Sequence, residues 1–183
     1  NPQQFARWHW QIEQYIRDSG IPFTFVQPIY FMQNFLGKDT AQMIVQQGRF
    51  AAPIKADLRF NMVDARDIAA VVAAAHSESG HEGHTYVLTG PELLSSNEQA
   101  AHFSRLLGRQ VTFMEVPIAT FRTILLGAGQ PEWLTDSVLE LFENLDTFVN
   151  DTVTRITKKP AHTFDQFISD HIQSFKELPP QTH

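Results

Sequence analysis

The chain has 183 residues, of which 43% are hydrophobic and fifteen are phenylalanine, so it can bury a sizeable core. Its formal net charge of -6 argues against a nucleic-acid surface, which normally needs a clustered basic patch. Because the sequence has no cysteine, disulfides, thiolate metal sites and cysteine nucleophiles are excluded. It shows no apolar run of about 18 residues and no signal-peptide pattern, so we expect a cytoplasmic protein with neither a membrane nor a nucleic-acid partner.

The first predicted unit is a helix followed by a buried strand. Apolar side chains recur at three- and four-residue steps through residues 5–16, which predicts an amphipathic helix that Asn1 can cap and Pro2 can begin. Residues 22–26 then predict a short strand. A helix followed by a strand builds a parallel sheet, and ligands of open parallel sheets bind beyond the carboxyl ends of the strands. Residues 27–34 are therefore the first candidate for a functional site.

Helices and strands continue to alternate after this unit. In chain order, the sequence predicts a helix at 41–45, strands at 49–53 and 58–63, a helix at 64–77, a strand at 85–89, a helix at 95–108 and a strand at 110–116. Asp64 is a good N-cap for the second of these helices, and Ser95-x-x-Glu98 is a capping-box pattern at the start of the third.

From residue 118 onward the sequence predicts helices. They are a short helix around Phe121, a second with an apolar stripe from Leu134 to Val149, and a last helix that Thr163-x-x-Gln166 caps, followed by a tail from Leu178. We therefore predict an α/β protein with a parallel sheet lobe in residues 1–116. Residues 117–183 are predicted to form a mainly helical cap, with a C-terminal tail, that walls one side of a cleft.

Several segments together resemble a known family. They are His9-x-x-x-Glu13, RDSGIPFTFVQPIYFMQNF (17–35), MVDARDIAAVVAAA (62–75), TYVLTGPELLSSNEQA (85–100) and LGRQV (107–111). In this order and spacing they resemble the second half of NmrA-like proteins, which are atypical short-chain dehydrogenase/reductases. The resemblance implies that residues 1–116 form the second half of a Rossmann-like domain with interleaved substrate-side segments. It also implies a helical substrate-side subdomain after them and NADP or NAD as the cofactor.

The resemblance makes His9 the candidate catalytic residue. In the wider reductase superfamily, a tyrosine and a lysine four residues apart on this helix perform the acid–base chemistry, and the same positions here are Phe5 and His9. Phenylalanine has no proton to donate, so His9 is expected to face the cofactor or substrate. The alternative is a hydrogen-bonded histidine of the core, within the apolar stripe. Glu13, one turn later, either holds an imidazole nitrogen of His9 or is a solvated carboxylate.

The resemblance also places a nicotinamide beside the segment that leaves the first strand. The implied cofactor-binding residues are Gln27, Pro28, Ile29 and Tyr30. Many relatives carry arginine at the position of Gln27, and glutamine lacks that charge and bidentate donor. The predicted substrate-binding residues form a largely apolar wall with one polar member; they are Phe31, Asn34, Phe35, Phe50 and Trp133. For each aromatic residue the alternative is plain packing in the core.

Two further patterns, a group of histidines and a Gly-Pro turn, are considered as functional sites, together with the absence of a hydrolase motif. His76, His81 and His84 suggest a metal site, since His-x-x-His can bind zinc, but the sequence offers no evident fourth ligand, and we predict no metal. The segment Thr89-Gly90-Pro91-Glu92 matches a hallmark of the family and is interpreted as a structural turn. No Gly-x-Ser-x-Gly elbow occurs, so hydrolase chemistry has little support.

The sequence contains no glycine-rich turn of the kind that binds a dinucleotide. That turn lets backbone N–H groups at a helix N-terminus approach the pyrophosphate closely. We therefore interpret the chain as the C-terminal portion of a longer protein, without its N-terminal glycine-rich half; the alternative is a stand-alone lobe with no cofactor binding of its own. Either form would expose the face on which the first strands pair, so we expect a homo-oligomer.

Two classes of function remain open. The first is an NAD(P)H-dependent oxidoreductase acting on a small apolar or aromatic substrate, which the aromatic residues after the first strand favour. The second is a non-catalytic NAD(P)-sensing regulator of the NmrA type, which Phe5 favours. If the parent protein is catalytic, this chain alone is expected to be inactive.

Overall fold

The computed structural model describes residues 4–176. Within them the helices are α1 Gln4–Asp18, α2 Lys38–Gln47, α3 Ala65–Ser77, α4 Ser96–Leu107, α5 Ile118–Gly127, α6 Glu132–Glu143, α7 Thr152–Thr157 and α8 Phe164–Asp170. The strands are β1 Phe25–Pro28, β2 Arg49–Ala52, β3 Arg59–Asn61, β4 Thr85–Leu88, β5 Leu93–Ser95 and β6 Thr112–Glu115. Two short 3-10 helices span Met32–Leu36 and Ile172–Phe175. The predicted cap at Asn1 and the tail from Leu178 lie outside the described residues.

The strands of the described chain form parallel and antiparallel pairs. β1 pairs in parallel with β4, with Phe25 opposite Thr85, and β2 pairs in parallel with β6. β3 and β5 form an antiparallel pair. A parallel bridge between Phe31 and Val63 joins the exit of β1 to the segment after β3. The predicted α/β class, with a parallel sheet and packed helices, is confirmed.

Two hydrophobic clusters hold these elements together. The larger cluster draws on β2, β3, α4 and α8, and its fully buried rings are Phe60, Phe103, Phe164, Phe167 and Phe175. The smaller cluster packs α3 and α7 against the β1–β4 pair, and its buried members are Val63, Val71, Tyr86, Leu88, Val153 and Ile156. Burying one large apolar side chain contributes roughly 1.5–3 kcal/mol, so these clusters are the main source of stability. No helix in the described residues is long and apolar enough to cross a bilayer.

The helix caps predicted from sequence are present. The Asp64 carboxylate accepts a hydrogen bond from the backbone N–H of Arg66 at 2.9 Å at the start of α3. Ser95 and Glu98 form a reciprocal capping box at the start of α4. The same device begins α8, where it uses the two predicted residues Thr163 and Gln166. Each cap pairs backbone N–H groups that a helix start otherwise leaves without a partner.

Several predicted boundaries were wrong. The first strand was predicted at 22–26 but is β1, Phe25–Pro28, because its register with β4 begins where Phe25 lies opposite Thr85. The apolar stripe that ends at Val149 does not continue as one helix, since α6 ends at Glu143. β5 and α7 were not predicted at all.

The Thr89-Gly90-Pro91-Glu92 segment is a turn held by a buried asparagine. The Asn61 side-chain amide donates to the carbonyls of Gly90 and Glu92 at 3.1 and 2.9 Å, and its oxygen accepts the Gly90 N–H at 2.7 Å. The turn also lies close against the neighbouring backbone, because a Cβ on Gly90 would be 2.0 Å from the carbonyl oxygen of Met62. This packing agrees with a structural role for the turn.

Candidate functional site

The site is built where β1 ends. The Ile29 N–H donates to the Leu88 carbonyl at 3.3 Å, so the chain still follows β4 as it leaves the strand. The Phe31–Val63 bridge then fixes the exit, and the chain turns into the 3-10 helix Met32–Leu36. The carboxyl end of a parallel strand is where open α/β sheets place their ligands. The geometry therefore supports the sequence-based choice of this segment.

A space of about 420 Å³, which we call the cleft, opens beside the segment that leaves β1. One wall is α1 and the other is the end of β1, with α6 and the loop after it closing the far side. Its lining residues are Phe5, Ala6, His9, Pro28, Ile29, Tyr30, Phe31, Asn34, Leu141, Asn144, Leu145 and Asp146. The structure thus brings together His9 and five residues predicted to contact cofactor or substrate, namely Pro28, Ile29, Tyr30, Phe31 and Asn34.

The cleft continues in two directions. Towards α1 it joins a space of about 600 Å³, which we call the groove, lined by Ala6, His9, Trp10, Glu13, Val26, Gln27, Pro28 and Phe31. Inward it joins a space of about 110 Å³, which we call the inner pocket. His9 and Pro28 belong to both groove and cleft, whereas Tyr30 and Asn34 belong to both cleft and inner pocket. The three spaces therefore form one series.

His9 is exposed and lines the cleft and the groove. The alternative of a core histidine within the apolar stripe is therefore wrong, and the position of His9 agrees with the prediction that it faces a ligand. Phe5, at the position where related reductases carry tyrosine, also lines the cleft and packs edge-on against Trp8 with ring centroids 5.8 Å apart.

Glu13 is paired with Gln27 and Arg17. Its Oε1 accepts a hydrogen bond from Gln27 Nε2 at 2.7 Å, and its Oε2 lies 3.9 Å from Arg17 Nη2. The carboxylate thus joins α1 to β1, which differs from both sequence-based alternatives, a partner for His9 or a solvated group. It also engages the amide of Gln27, one of the predicted cofactor-binding residues.

Arg17 is the second attachment of α1 to the sheet. Its guanidinium lies 4.9 Å from the ring centroids of both Phe23 and Phe25, and its Nη2 donates to Thr85 Oγ1 at 2.9 Å. A guanidinium over an aromatic face contributes roughly 0.5–1 kcal/mol at an exposed site. α1, described from Gln4 to Asp18, has no fully buried residue, so these polar contacts have a large part in placing it.

Tyr30 is the ionisable group at the junction of cleft and inner pocket. Burial raises the pKa of its phenol, and a hydrogen bond with the Asn34 side chain offsets part of that rise. Its ring packs edge-on against Phe60 with centroids 5.8 Å apart, which fixes its plane. A phenol whose pKa is raised stays protonated at neutral pH, so it can donate a hydrogen bond to a ligand in the cleft.

The predicted substrate-binding residues lie in different places: some line the inner pocket, one lines the cleft but not the inner pocket, and one lies outside all three spaces. Phe35 and Phe50 line the inner pocket together with Asn34, and Phe31 lines the cleft. Trp133 is placed elsewhere: it is 57% exposed and packs edge-on against Trp8, with centroids 5.9 Å apart, and it lines none of the three spaces.

Sequence reasoning missed several lining residues of the inner pocket, which come from distant elements. They are Thr40, Ala51, Ala52, Ile54, Phe60, Ser96, Gln99, Phe113, Phe121 and Phe142. Ser96 lies within the predicted capping box and Gln99 directly follows it, so their helix was identified but not the face that they occupy. No local pattern marks such residues, because they converge only through tertiary packing.

The histidine-rich loop has structural contacts. His81 Nδ1 lies 2.9 Å from the Tyr86 hydroxyl, and the His84 ring stacks on Tyr86 with centroids 5.7 Å apart. Among the described residues, no group of three or more histidine and carboxylate side chains is arranged to hold a metal ion.

The parallel strands, the covering helices and the cleft beyond β1 define an α/β protein of the Rossmann type. The chain belongs to the NmrA-like family, whose model matches residues 4–177.

Similar proteins include enzymes. The chain is 38% identical over 179 residues to NAD(P)H azoreductase of Xenophilus azovorans, covering 96% of this chain and 62% of that protein. It is 36% identical over 167 residues to a (4-alkanoyl-5-oxo-2,5-dihydrofuran-3-yl)methyl phosphate reductase of Streptomyces griseus, covering 89% of this chain and 58% of that protein. A crystal structure of the NADPH-dependent quinone oxidoreductase QOR2 of Escherichia coli in complex with NADPH matches 93% of this chain and 61% of that chain, with a TM-score of 0.80 and 26% identity. The chain thus spans about three fifths of the length of these relatives.

Proposed function

We propose that this chain supplies the substrate side of an NAD(P)H-dependent oxidoreductase that acts on a small apolar or aromatic substrate. The observation that carries the proposal is the series of groove, cleft and inner pocket at the carboxyl end of β1, with His9 at one junction and Tyr30 at the other. The similarity to the azoreductase, to the (4-alkanoyl-5-oxo-2,5-dihydrofuran-3-yl)methyl phosphate reductase and to the quinone oxidoreductase supports the same class of reaction.

The groove suits the nicotinamide end of a dinucleotide. Trp10 and Phe31 give it apolar walls, and His9 and Gln27 give it hydrogen-bonding groups. Its one charged lining residue among those described is Glu13, so it does not suit the anionic pyrophosphate. We infer that residues outside these 183 hold the pyrophosphate in a longer protein. When bound, the nicotinamide would supply a hydride to a substrate in the cleft.

The side chains of the cleft would then handle the proton and the developing charge. In a substrate with a C=O, C=N or N=N bond, hydride addition leaves negative charge on oxygen or nitrogen. Tyr30 and Asn34 are placed to donate hydrogen bonds to that atom, and fixed donors of this kind stabilise a transition state. His9, when protonated, is the group that can deliver the proton, since Phe5 has none to give.

The test is a chimera in which these 183 residues replace the matching part of the Xenophilus azovorans azoreductase. We expect the chimera to bind NADPH and to oxidise it in the presence of a quinone, an azo dye or an imine. NADPH titration of the same chimera establishes first that its cofactor site is competent. A chimera that binds NADPH but reduces none of these compounds would contradict the proposal.

The second candidate is a non-catalytic NAD(P)-sensing regulator. The observation that favours it is Phe5, an inert side chain in the cleft wall at the position of the usual acid. A chimera that binds NADPH without turnover would make this the leading function. The third possibility, a lobe with no cofactor binding in any context, requires that the chimera also fail to bind NADPH.

The isolated 183-residue chain is expected to bind NADPH and NADH more weakly than 1 μM. A Kd of 1 μM corresponds to about -8.2 kcal/mol, and the groove, with the Glu13 carboxylate in its lining, does not suit the anionic pyrophosphate. Calorimetric or fluorescence titration of the purified chain measures the affinity. Micromolar binding at a 1:1 ratio would show that the described residues hold the whole dinucleotide.

The isolated chain is also expected to form a homo-oligomer, so the protein partner that we propose is a second copy of this chain. Large apolar side chains of α1 and the turn after it are exposed, namely Trp10, Ile12, Tyr15 and Ile21. β1 has β4 as its strand neighbour, and its other edge has no partner strand in the described residues. Open strand edges and exposed apolar patches favour association, and sedimentation at roughly tens of micromolar protein measures it. A monomer alone at that concentration would contradict the expectation.

A further inference from the structure

The inner pocket is the most deeply placed of the three spaces. Its lining includes the buried rings of Phe35, Phe50 and Phe60, whereas the cleft beside it is lined largely by half-buried and exposed residues. Its volume is about 110 Å³, which is smaller than the ~150 Å³ of an engineered apolar cavity that binds benzene. The pocket therefore has room for a short branched alkyl group or, with small side-chain adjustments, a single ring.

The chemistry of the lining selects against charge. None of the described residues that line the pocket is an acid or a base at neutral pH. The two most buried polar members are Ser96 and Gln99, each 1% exposed, and Gln99 Nε2 already donates to the Leu94 carbonyl at 3.3 Å. A charged group moved into such surroundings would lose its hydration without a partner. The occupant must be uncharged.

Tyr30 and Asn34 form the threshold of the pocket. Both line the cleft as well as the pocket, so a molecule in the cleft can place one substituent past them. The phenol and the amide would then lie beside the bond that joins this substituent to the rest of the molecule. A carbonyl or imine atom at that point would meet two hydrogen-bonding groups.

We propose that the inner pocket is a subsite for an uncharged apolar substituent no larger than one ring. The reacting carbonyl, imine or azo group of the same molecule stays at Tyr30 and Asn34. The proposal that this subsite binds part of a substrate rests on the proposed reductase function. The capacity of the inner pocket to bind a small apolar molecule does not depend on that function. The substrate class is therefore a quinoid or aromatic compound with one small apolar arm, rather than a large polycyclic or anionic one.

Benzene is the probe, used with the whole 183-residue chain. We expect saturable binding in an NMR titration, with nuclear Overhauser contacts from benzene to the methyl groups of Ala51, Ala52 and Ile54, which line the pocket. Benzoate, with the same ring and a charge, should bind at least about tenfold more weakly. Absence of contacts to these methyl groups, or equal binding of benzoate, would overturn the proposal.

Ala51→Leu fills the pocket and should weaken benzene binding at least about tenfold, whereas Ala73→Leu makes the same change at an exposed position of α3 and should leave it unchanged. A folded Ala51→Leu protein with unaltered affinity would contradict the assignment. If Ala51→Leu does not fold, Phe113→Ala provides the second variant: it enlarges the pocket and should admit naphthalene, which the wild-type pocket rejects. Equal affinity of both proteins for naphthalene would also overturn it.

These binding results are independent of turnover by the chimera. If the chain binds benzene in the inner pocket but the chimera reduces none of the test compounds, the subsite is supported and the reductase function is contradicted. If the chimera turns over substrate but the chain does not bind benzene, the reductase function is supported and the subsite is contradicted.

Discussion

Gly90→Ala is expected to destabilise the protein by about 3 kcal/mol or more. The added Cβ would lie 2.0 Å from the Met62 carbonyl oxygen, a backbone atom that cannot rotate away as a side chain can. Relief therefore requires the turn to move, which would lengthen the hydrogen bonds between Asn61 and the turn. Overpacking at a rigid site costs about 1–3 kcal/mol or more, and stretched hydrogen bonds add to it.

Urea unfolding followed by circular dichroism measures the effect. With a slope of about 1–3 kcal/mol per molar urea, the midpoint should fall by about 1 M or more. Gly127→Ala is the matched control, because its Cβ would meet nothing within 4 Å at the end of α5. That change should be neutral or stabilise by up to about 1 kcal/mol. Equal midpoints for both variants would show that the turn is more pliable than its packing indicates.

His9→Ala in the NADPH-binding chimera is expected to lower kcat at least about tenfold, since general acid–base groups contribute about 10²–10⁴-fold. The substrate KM should change little, because His9 would act on the proton in the transition state. Phe5→Tyr is the complementary change: it restores a phenol in the cleft wall and should recover part of the rate in the His9→Ala background.

His76→Ala is the control for this experiment, because His76 is exposed in the last turn of α3, outside the three spaces. It should leave kcat and the free energy of unfolding unchanged. If His9→Ala keeps the wild-type rate and Phe5→Tyr adds nothing, His9 has no part in proton transfer. Tyr30 and Asp146 would then be the remaining ionisable groups among the described residues that line the cleft.

The helix starts could be predicted because they depend on neighbours in sequence. Asp64, Ser95 and Thr163 each cap a helix through backbone N–H groups two or three residues away, so the pattern contains all the partners. The class of fold followed from the alternation of these helices with apolar runs. Both inferences use interactions that a short window of sequence includes.

Pairing between distant segments could not be predicted in the same way. β5 has three residues and exists because Leu94 lies opposite Phe60 in β3. β1 begins at Phe25 because its register with β4 begins there, opposite Thr85 far along the chain, so residues 22–24 do not belong to the strand. α7 is only Thr152–Thr157, and its apolar side chains matter through contact with α3.

The candidate site shows the same division. The run from Gln27 to Phe35 was found from sequence because it follows a predicted strand, and the structure brings most of it to the cleft. The opposite walls come from α4, α5, α6 and β6, and no spacing rule links them to β1. Trp133 illustrates the limit, since it was predicted to bind substrate but packs against Trp8 and does not line the cleft.

Because α1 is weakly buried, the residues that stabilise the fold are different from the α1 residues that line the cleft. The clusters that stabilise the fold lie behind β1 and between β2 and α8, whereas α1 contributes exposed and half-buried side chains. Substitutions at Phe5 or His9 are therefore expected to change the proposed chemistry with little effect on folding, as long as Glu13 and Arg17 keep the helix attached. If the proposed function holds, one wall of the cleft can acquire new side chains while the core stays as it is.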